Sequence, residues 1–178
     1  MGAGAIQVYI PATLAMLQQL VADGSLWPVN GTAFAVTPTL REAYAEGDDE
    51  ELADVALREA ALASLRLLAA QGAGGADPTL RPRRAVLSAE VGLGESGVTF
   101  RPDLDDAVVR LGAPVALDQV IAGYVDNAAA EDDITKAIEA IDAADLGDED
   151  ADLIVGDAQD HDLAWYANQE LPFLLDLL

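Results

Sequence analysis

The sequence contains a single histidine, His161, set between Asp160 and Asp162 with Asp157 four residues before it. On a helix, His161 would share a face with Asp157 and Trp165, because residues four apart lie over one another. An imidazole among carboxylates is the material of general acid–base catalysis or of a metal site, provided that partners converge from elsewhere in the fold. Asp157, Asp160 and His161 are therefore the catalytic candidates. A lone histidine beside aromatic residues more commonly serves as a half-buried, hydrogen-bonded anchor, and that is the favoured role.

Hard divalent cations need clustered oxygens, and the chain concentrates them at Asp145, Asp148, Glu149, Asp150 and Asp152. Asp148-x-Asp150-x-Asp152 resembles the opening of a calcium-binding loop. Its sixth position is Leu153, where the sharp turn needs glycine, and its twelfth is Gln159, where a bidentate glutamate belongs. These three aspartates are weak metal candidates, and no other cofactor is expected. The dominant reading of all five acids is a solvated face, or a surface for a basic protein partner.

Two further motifs fail in their context. Gly92-Leu93-Gly94-Glu95-Ser96-Gly97 matches the glycine pattern of a dinucleotide turn, but Val98-Thr99-Phe100-Arg101-Pro102 follows and reads as extended. A phosphate turn must open a helix whose first amides hold the pyrophosphate, and Glu95 would add repulsion. A turn between strands is the better reading. None of Ser25, Ser64, Ser88 or Ser96 stands in a G-x-S-x-G elbow, and without cysteine there is no thiol nucleophile or zinc thiolate site.

The elements that must position these residues are legible in part. Ile6, Val8 and Ile10 alternate with Gln7 and Tyr9 as in a strand, which Pro11 is expected to end. Leu14, Leu17, Leu20 and Val21 recur at helical spacing between Thr13, an N-cap, and Asp23-Gly24, a stop. Residues 32–37 read as a strand. A long helix over 49–70 opens on Asp48, with Glu51 at capping-box spacing and Leu52, Val55, Leu62, Leu65 and Leu68 as its apolar stripe. Residues 71–82 read as a loop. Strands are expected over 84–91, with one wetter face, and over 107–111 and 120–125, followed by a helix over 130–144. The remainder reads as one or two helices interrupted at Pro172, whose apolar Leu171, Phe173, Leu174, Leu177 and Leu178 dock on the body or support a homodimer.

Composition bounds the function class. The 178 residues are 52% hydrophobic but only 5% aromatic, so the core is aliphatic, and one domain spanning 1–178 is the expectation. Thirty-two acids against nine bases give a net charge of -23, which argues against direct nucleic acid binding and against anionic membranes. The charge is uneven. Residues 1–110 carry eight arginines against fifteen acids, net -7, and residues 111–178 carry Lys136 alone against seventeen acids, net -16. With no cysteine, and no basic residue before Arg41 to open a secretory signal, a cytoplasmic location is expected.

The phrases Val8-Tyr9-Ile10-Pro11-Ala12-Thr13, Gly31-Thr32-Ala33-Phe34-Ala35-Val36-Thr37, Ala140-Ile141-Asp142-Ala143-Ala144-Asp145-Leu146 and Trp165-Tyr166-Ala167-Asn168-Gln169-Glu170-Leu171 resemble those of a small, acidic, uncharacterised actinobacterial protein family. The resemblance implies one intact domain, and it transfers no activity, cofactor or catalytic residue.

These elements predict an α+β fold: a four- or five-stranded mixed or antiparallel sheet with helices on one face, ferredoxin-like in spirit, plus a C-terminal helical extension. A doubly wound α/β sheet is the alternative. The expected function is a non-enzymatic protein-interaction or regulatory module whose acidic C-terminal third meets a basic partner. Its rival is a metal-dependent hydrolase built on the Asp157, Asp160 and His161 cluster with a divalent cation.

Overall fold

The computed structural model describes residues 4–71, 80–94 and 96–177. The expected turn at 92–97 is therefore described except at Glu95, and most of the expected loop at 71–82 lies outside the described residues, as does the side chain of Leu177 and all of Leu178.

Strand β1 (Ala5–Ala12) leads through Thr13 into helix α1 (Leu14–Asp23). The Thr13 hydroxyl accepts from the Met16 amide at 3.2 Å, and Gly24 closes the helix at φ 80°, a left-handed conformation that glycine adopts without steric cost. Strands β2 (Ser25–Leu26) and β3 (Thr32–Ala35) follow, then helices α2 (Pro38–Ala43) and α3 (Asp49–Gln71). Thr37 is not strand but the N-cap of α2, its hydroxyl accepting from the Leu40 amide at 3.0 Å. Asp48 caps α3 as its spacing requires, accepting from the Glu51 amide at 2.9 Å. Strands β4 (Ala85–Gly92), β5 (Val98–Phe100), β6 (Val108–Leu111), β7 (Val115–Ala116) and β8 (Val120–Val125) come next. The C-terminal third holds α4 (Glu131–Asp145), α5 (Glu149–Gln159), β9 (Ala164–Ala167) and α6 (Leu171–Leu177).

Seven strands form one sheet in the order β5-β6-β3-β1-β4-β8-β9, and β2 with β7 forms a separate ribbon. Among the described residues every ladder between these strands is antiparallel, with one isolated parallel bridge between Leu93 and Val98. The fold is α+β as expected, but the sheet is larger than four or five strands, and a doubly wound sheet is ruled out because that architecture needs parallel strands. The two sheet strands not expected are β5 and β9, both short and both at the sheet edges. Trp165-Tyr166, expected in a helix, instead pair with Tyr124 and Gly123 at the sheet edge. Pro11 does not end β1 but sits within it, opposite Val86. β3 pairs with β1 only at Val8 and Tyr9, so beyond them β1 has an unpaired side on which a missing N–H breaks no ladder.

Helices cover both faces, which corrects the one-face, ferredoxin-like expectation. Val8, Ile10, Leu87, Ala89 and Val109 pack with Leu14, Leu17 and Leu20 of α1 and with Leu171 and Leu174 of α6. On the other face, Tyr9, Phe34, Val86 and Val108 pack with Ala56, Ala60 and Ala61 of α3. The face of β4 expected to be wetter is therefore dry at its centre: Val86 and Ser88 are fully buried, and only Glu90 and Gly92 at the far end emerge. The outer side of α3 carries Leu65 and Leu68 into a third cluster with Ile134, Ile141, Ala151 and Val155, so the α4–α5 hairpin stacks on α3 rather than on the sheet. Small residues make this close layering feasible: alanine supplies much of each contact and loses no rotamer freedom.

Candidate functional site

The register of β4 against β8 aligns Ala85 with Val125, which places Arg84 and Asp126 opposite each other at the ends of the two strands. Their backbones continue the ladder, the Asp126 amide donating to the Arg84 carbonyl at 3.1 Å. Their side chains close a bidentate pair, Nε to Oδ2 at 2.9 Å and Nη2 to Oδ1 at 2.8 Å, while the Arg84 amide donates to Oδ2 at 2.8 Å. Both groups are out of solvent, at 1% exposure each. A guanidinium so buried survives only with its donors satisfied, and the remaining ones reach outward to the Gln159 side-chain oxygen at 2.8 Å and the His161 carbonyl at 2.9 Å. Arg83, beside it, donates to Glu131 at 2.9 and 3.1 Å. Two successive arginines thus tie the sheet to the start of α4 and to the exit of α5.

That exit carries the histidine. α5 ends at Gln159, and the His161 amide closes its last turn on the Ala158 carbonyl at 3.2 Å. The chain then leaves the helix for β9, so Trp165 does not share a helical face with His161. The carboxylate that the imidazole meets is that of Asp133, from the first turn of α4, with Nε2 2.7 Å from Oδ2. It is not Asp157 or Asp160, both of which are exposed. The expected cluster of Asp157, Asp160 and His161 is therefore replaced by a pair between His161 and Asp133. Sequence reasoning missed Asp133 because nothing marks it apart from its neighbours in an acidic helix start.

Behind His161 lies a cavity of about 260 Å³, between α3, β8 and residues 159–163. Asp54, Arg58 and Leu57 line it from α3, Tyr124 from the sheet, and Asp162 and Leu163 from the linking segment. The Gln159 amide donates to the Arg58 carbonyl at 3.3 Å, joining the two walls. The Tyr124 ring stands 6.3 Å from that of Tyr9, tilted by 59°. Burial, with the negative charge of Asp54 adding to it, pushes both phenols above their ordinary range, so both hydroxyls remain protonated donors.

The acids of 145–152 go elsewhere. Asp148 is the N-cap of α5, accepting from the Ala151 amide at 2.8 Å, and Asp145 pairs with Arg66 of α3 at 2.9 Å. The Arg66 hydrogen bond holds the Asp145 carboxyl below its usual range. Asp148, Glu149, Asp150 and Asp152 are all exposed on the hairpin tip and its outward face. Among the described residues no three acidic or histidine side chains are grouped to hold a metal ion. Leu146, between the helices, is 90% exposed, and Leu153 is 68% exposed with Ile154 beside it, so the outward face mixes carboxylates with aliphatic side chains.

The glycine pattern at 92–97 leads into β5 and not into a helix, so it offers no helix N-terminus to a phosphate. Among the described residues, no helix is long and apolar enough to cross a membrane.

A family model matches residues 6–175, from β1 into α6. The chain belongs to DUF6912, a family of unknown function. No match was found among curated proteins or among solved structures. The DUF6912 match spans every element that builds the cavity and the hairpin, so both lie within the family's shared region.

Proposed function

We propose that the chain is a non-enzymatic protein-interaction module whose α4–α5 hairpin receives a basic, amphipathic segment of a partner protein. The observation that carries this reading is the exposure of Leu146 and Leu153 among Asp148, Glu149, Asp150 and Asp152. Acids alone would be a solvated face. Aliphatic side chains held in water among them match a partner that presents its own apolar residues between lysines or arginines, and charge complementarity then steers the encounter. The net charge of -16 over residues 111–178 supports the same reading, as does the placement of the hairpin on the outside of α3, away from the sheet. The module is taken to act in the cytoplasm, on the strength of a cysteine-free sequence.

The experiment is a titration of the full chain with three fluorescent peptides: a basic amphipathic helix of leucine and lysine, an oligolysine of equal charge, and an acidic amphipathic helix. The amphipathic basic peptide is expected to bind most tightly, to weaken as salt rises, and to lose affinity to a Leu146→Ser, Leu153→Ser double variant. Equal binding of oligolysine, or an unaffected double variant, overturns the reading. So does an absence of binding at low salt.

A further inference from the structure

The cavity behind His161 is distinct from the outward face of the hairpin, and its lining calls for a different kind of ligand. One side is apolar, made by Leu57, Leu163 and the ring of Tyr124. Of the charged lining residues, Arg84 is already neutralised by Asp126, which leaves Asp54 and Arg58 from α3 and Asp162 from the linking segment.

The relation of Asp54 to Arg58 is the informative one. An acid four residues before an arginine on a helix is well placed to pair with it, and in a chain with 32 acids an arginine has no shortage of partners. Arg41, Arg66, Arg83, Arg84 and Arg101 are each paired with a carboxylate. Among the described residues Arg58 forms no such pair, nor do Arg81 and Arg110, which lie away from the cavity, nor does Asp54 or Asp162. Charges of both signs therefore line one small cavity without neutralising each other. The wall that carries Asp162 is fixed in advance, because Arg84 holds Gln159 and the His161 carbonyl while Asp133 holds the imidazole. A pre-ordered wall lowers the entropy lost on binding.

The charges restrict the ligand. A phosphate or simple carboxylate would meet two aspartates, and a simple amine would leave Arg58 facing another cation. At about 260 Å³ the cavity also falls below the roughly 300–1,000 Å³ of pockets for drug-sized molecules.

We propose that this cavity binds a small zwitterion of the α-amino-acid class with an apolar side chain, its carboxylate on Arg58, its ammonium on Asp54 and Asp162, and its side chain against Tyr124, Leu57 and Leu163.

The test is calorimetry and amide-resolved NMR on the full chain with four probes: L-phenylalanine, phenethylamine, 3-phenylpropanoate and N-acetyl-L-phenylalanine amide. L-phenylalanine is expected to bind saturably and to shift the resonances of Tyr124, His161 and Leu163, and the other three to bind at least about tenfold more weakly. Arg58→Gln is expected to weaken L-phenylalanine by about tenfold without weakening phenethylamine, and Asp54→Asn to weaken L-phenylalanine without weakening 3-phenylpropanoate. Both positions are exposed, so the variants should keep the wild-type fold, which circular dichroism checks. L-leucine and L-methionine are run as well, so that the class is tested with aliphatic and aromatic side chains. If none of the three amino acids binds at millimolar concentration, the proposal is overturned. It is equally overturned if the amine or the acid matches the zwitterion, or if a folded Arg58→Gln protein binds L-phenylalanine unchanged.

Discussion

Arg84 and Asp126 face each other across the ends of β4 and β8 in a bidentate pair that is fully withdrawn from solvent, 42 residues apart in the chain. Removing the acid strands a buried cation, whereas replacing both leaves only an apolar contact to repack. Asp126→Ala is expected to cost about 3–5 kcal/mol in urea unfolding. The double variant Arg84→Met, Asp126→Leu is expected to cost less than the single one. A double variant no more stable than Asp126→Ala would mean that the Gln159 and His161 contacts of Arg84, and not its charge balance, carry its contribution.

Ser64 makes a smaller buried bridge. Its hydroxyl donates to the Ala12 carbonyl at 2.7 Å and accepts from the Ala85 amide at 3.0 Å, linking α3 to the paired ends of β1 and β4. Ser64→Ala removes the partner of two backbone groups at once and is expected to cost about 1–3 kcal/mol. Hydrogen exchange should report faster opening at Ala85 in that variant, and unchanged protection there would show the bridge to be dispensable.

Glu59 gives a pH dependence whose sign is fixed. Burial raises its carboxyl above the ordinary range, Asp105 adds to this, and Arg66 opposes it. The folded state therefore binds this proton more tightly than the unfolded chain does. The resulting stability is present below the unfolded pKa and is lost as pH rises through the folded one. Glu59→Gln is thus expected to raise the denaturation midpoint at neutral pH, with the gain vanishing in acid. A variant less stable than wild type at neutral pH would show that the attraction to Arg66 outweighs burial.

Two glycines should respond in opposite directions to alanine. A Cβ on Gly97 would overlap the Gly92 carbonyl, so Gly97→Ala must displace backbone and is expected to cost about 1–3 kcal/mol. Gly156 lies inside α5 with open space around it, and Gly156→Ala is expected to stabilise by about 0.4–1 kcal/mol. Thermal unfolding of the two variants provides the comparison, and equal midpoints would contradict the close approach at Gly92.

The local chemistry of the chain determined much of what was legible from sequence. Thr13, Asp48 and Gly24 act within a few residues of themselves, so α1 and α3 begin or end where the sequence places them. β4, β8 and α4 follow from periodicity in the same way. β9 did not, because Ala164–Ala167 is too short to show alternation and becomes a strand only when β8 offers it an edge. The acidic C-terminal third was plain from counting, and its spread over an outward face, with no three acids grouped for a metal ion among the described residues, needed the packing of α4 and α5 on α3.

The site was decided by tertiary structure alone. His161 could be singled out as the one histidine, but Asp133 lies 28 residues away and resembles every other acid in its helix. Arg84 and Asp126 look like surface charges in the sequence and are among the most buried residues in the molecule. Which charges pair, and which three stay unpaired on the walls of a cavity, depends on strand register and helix stacking. Those are long-range choices that no window of sequence contains.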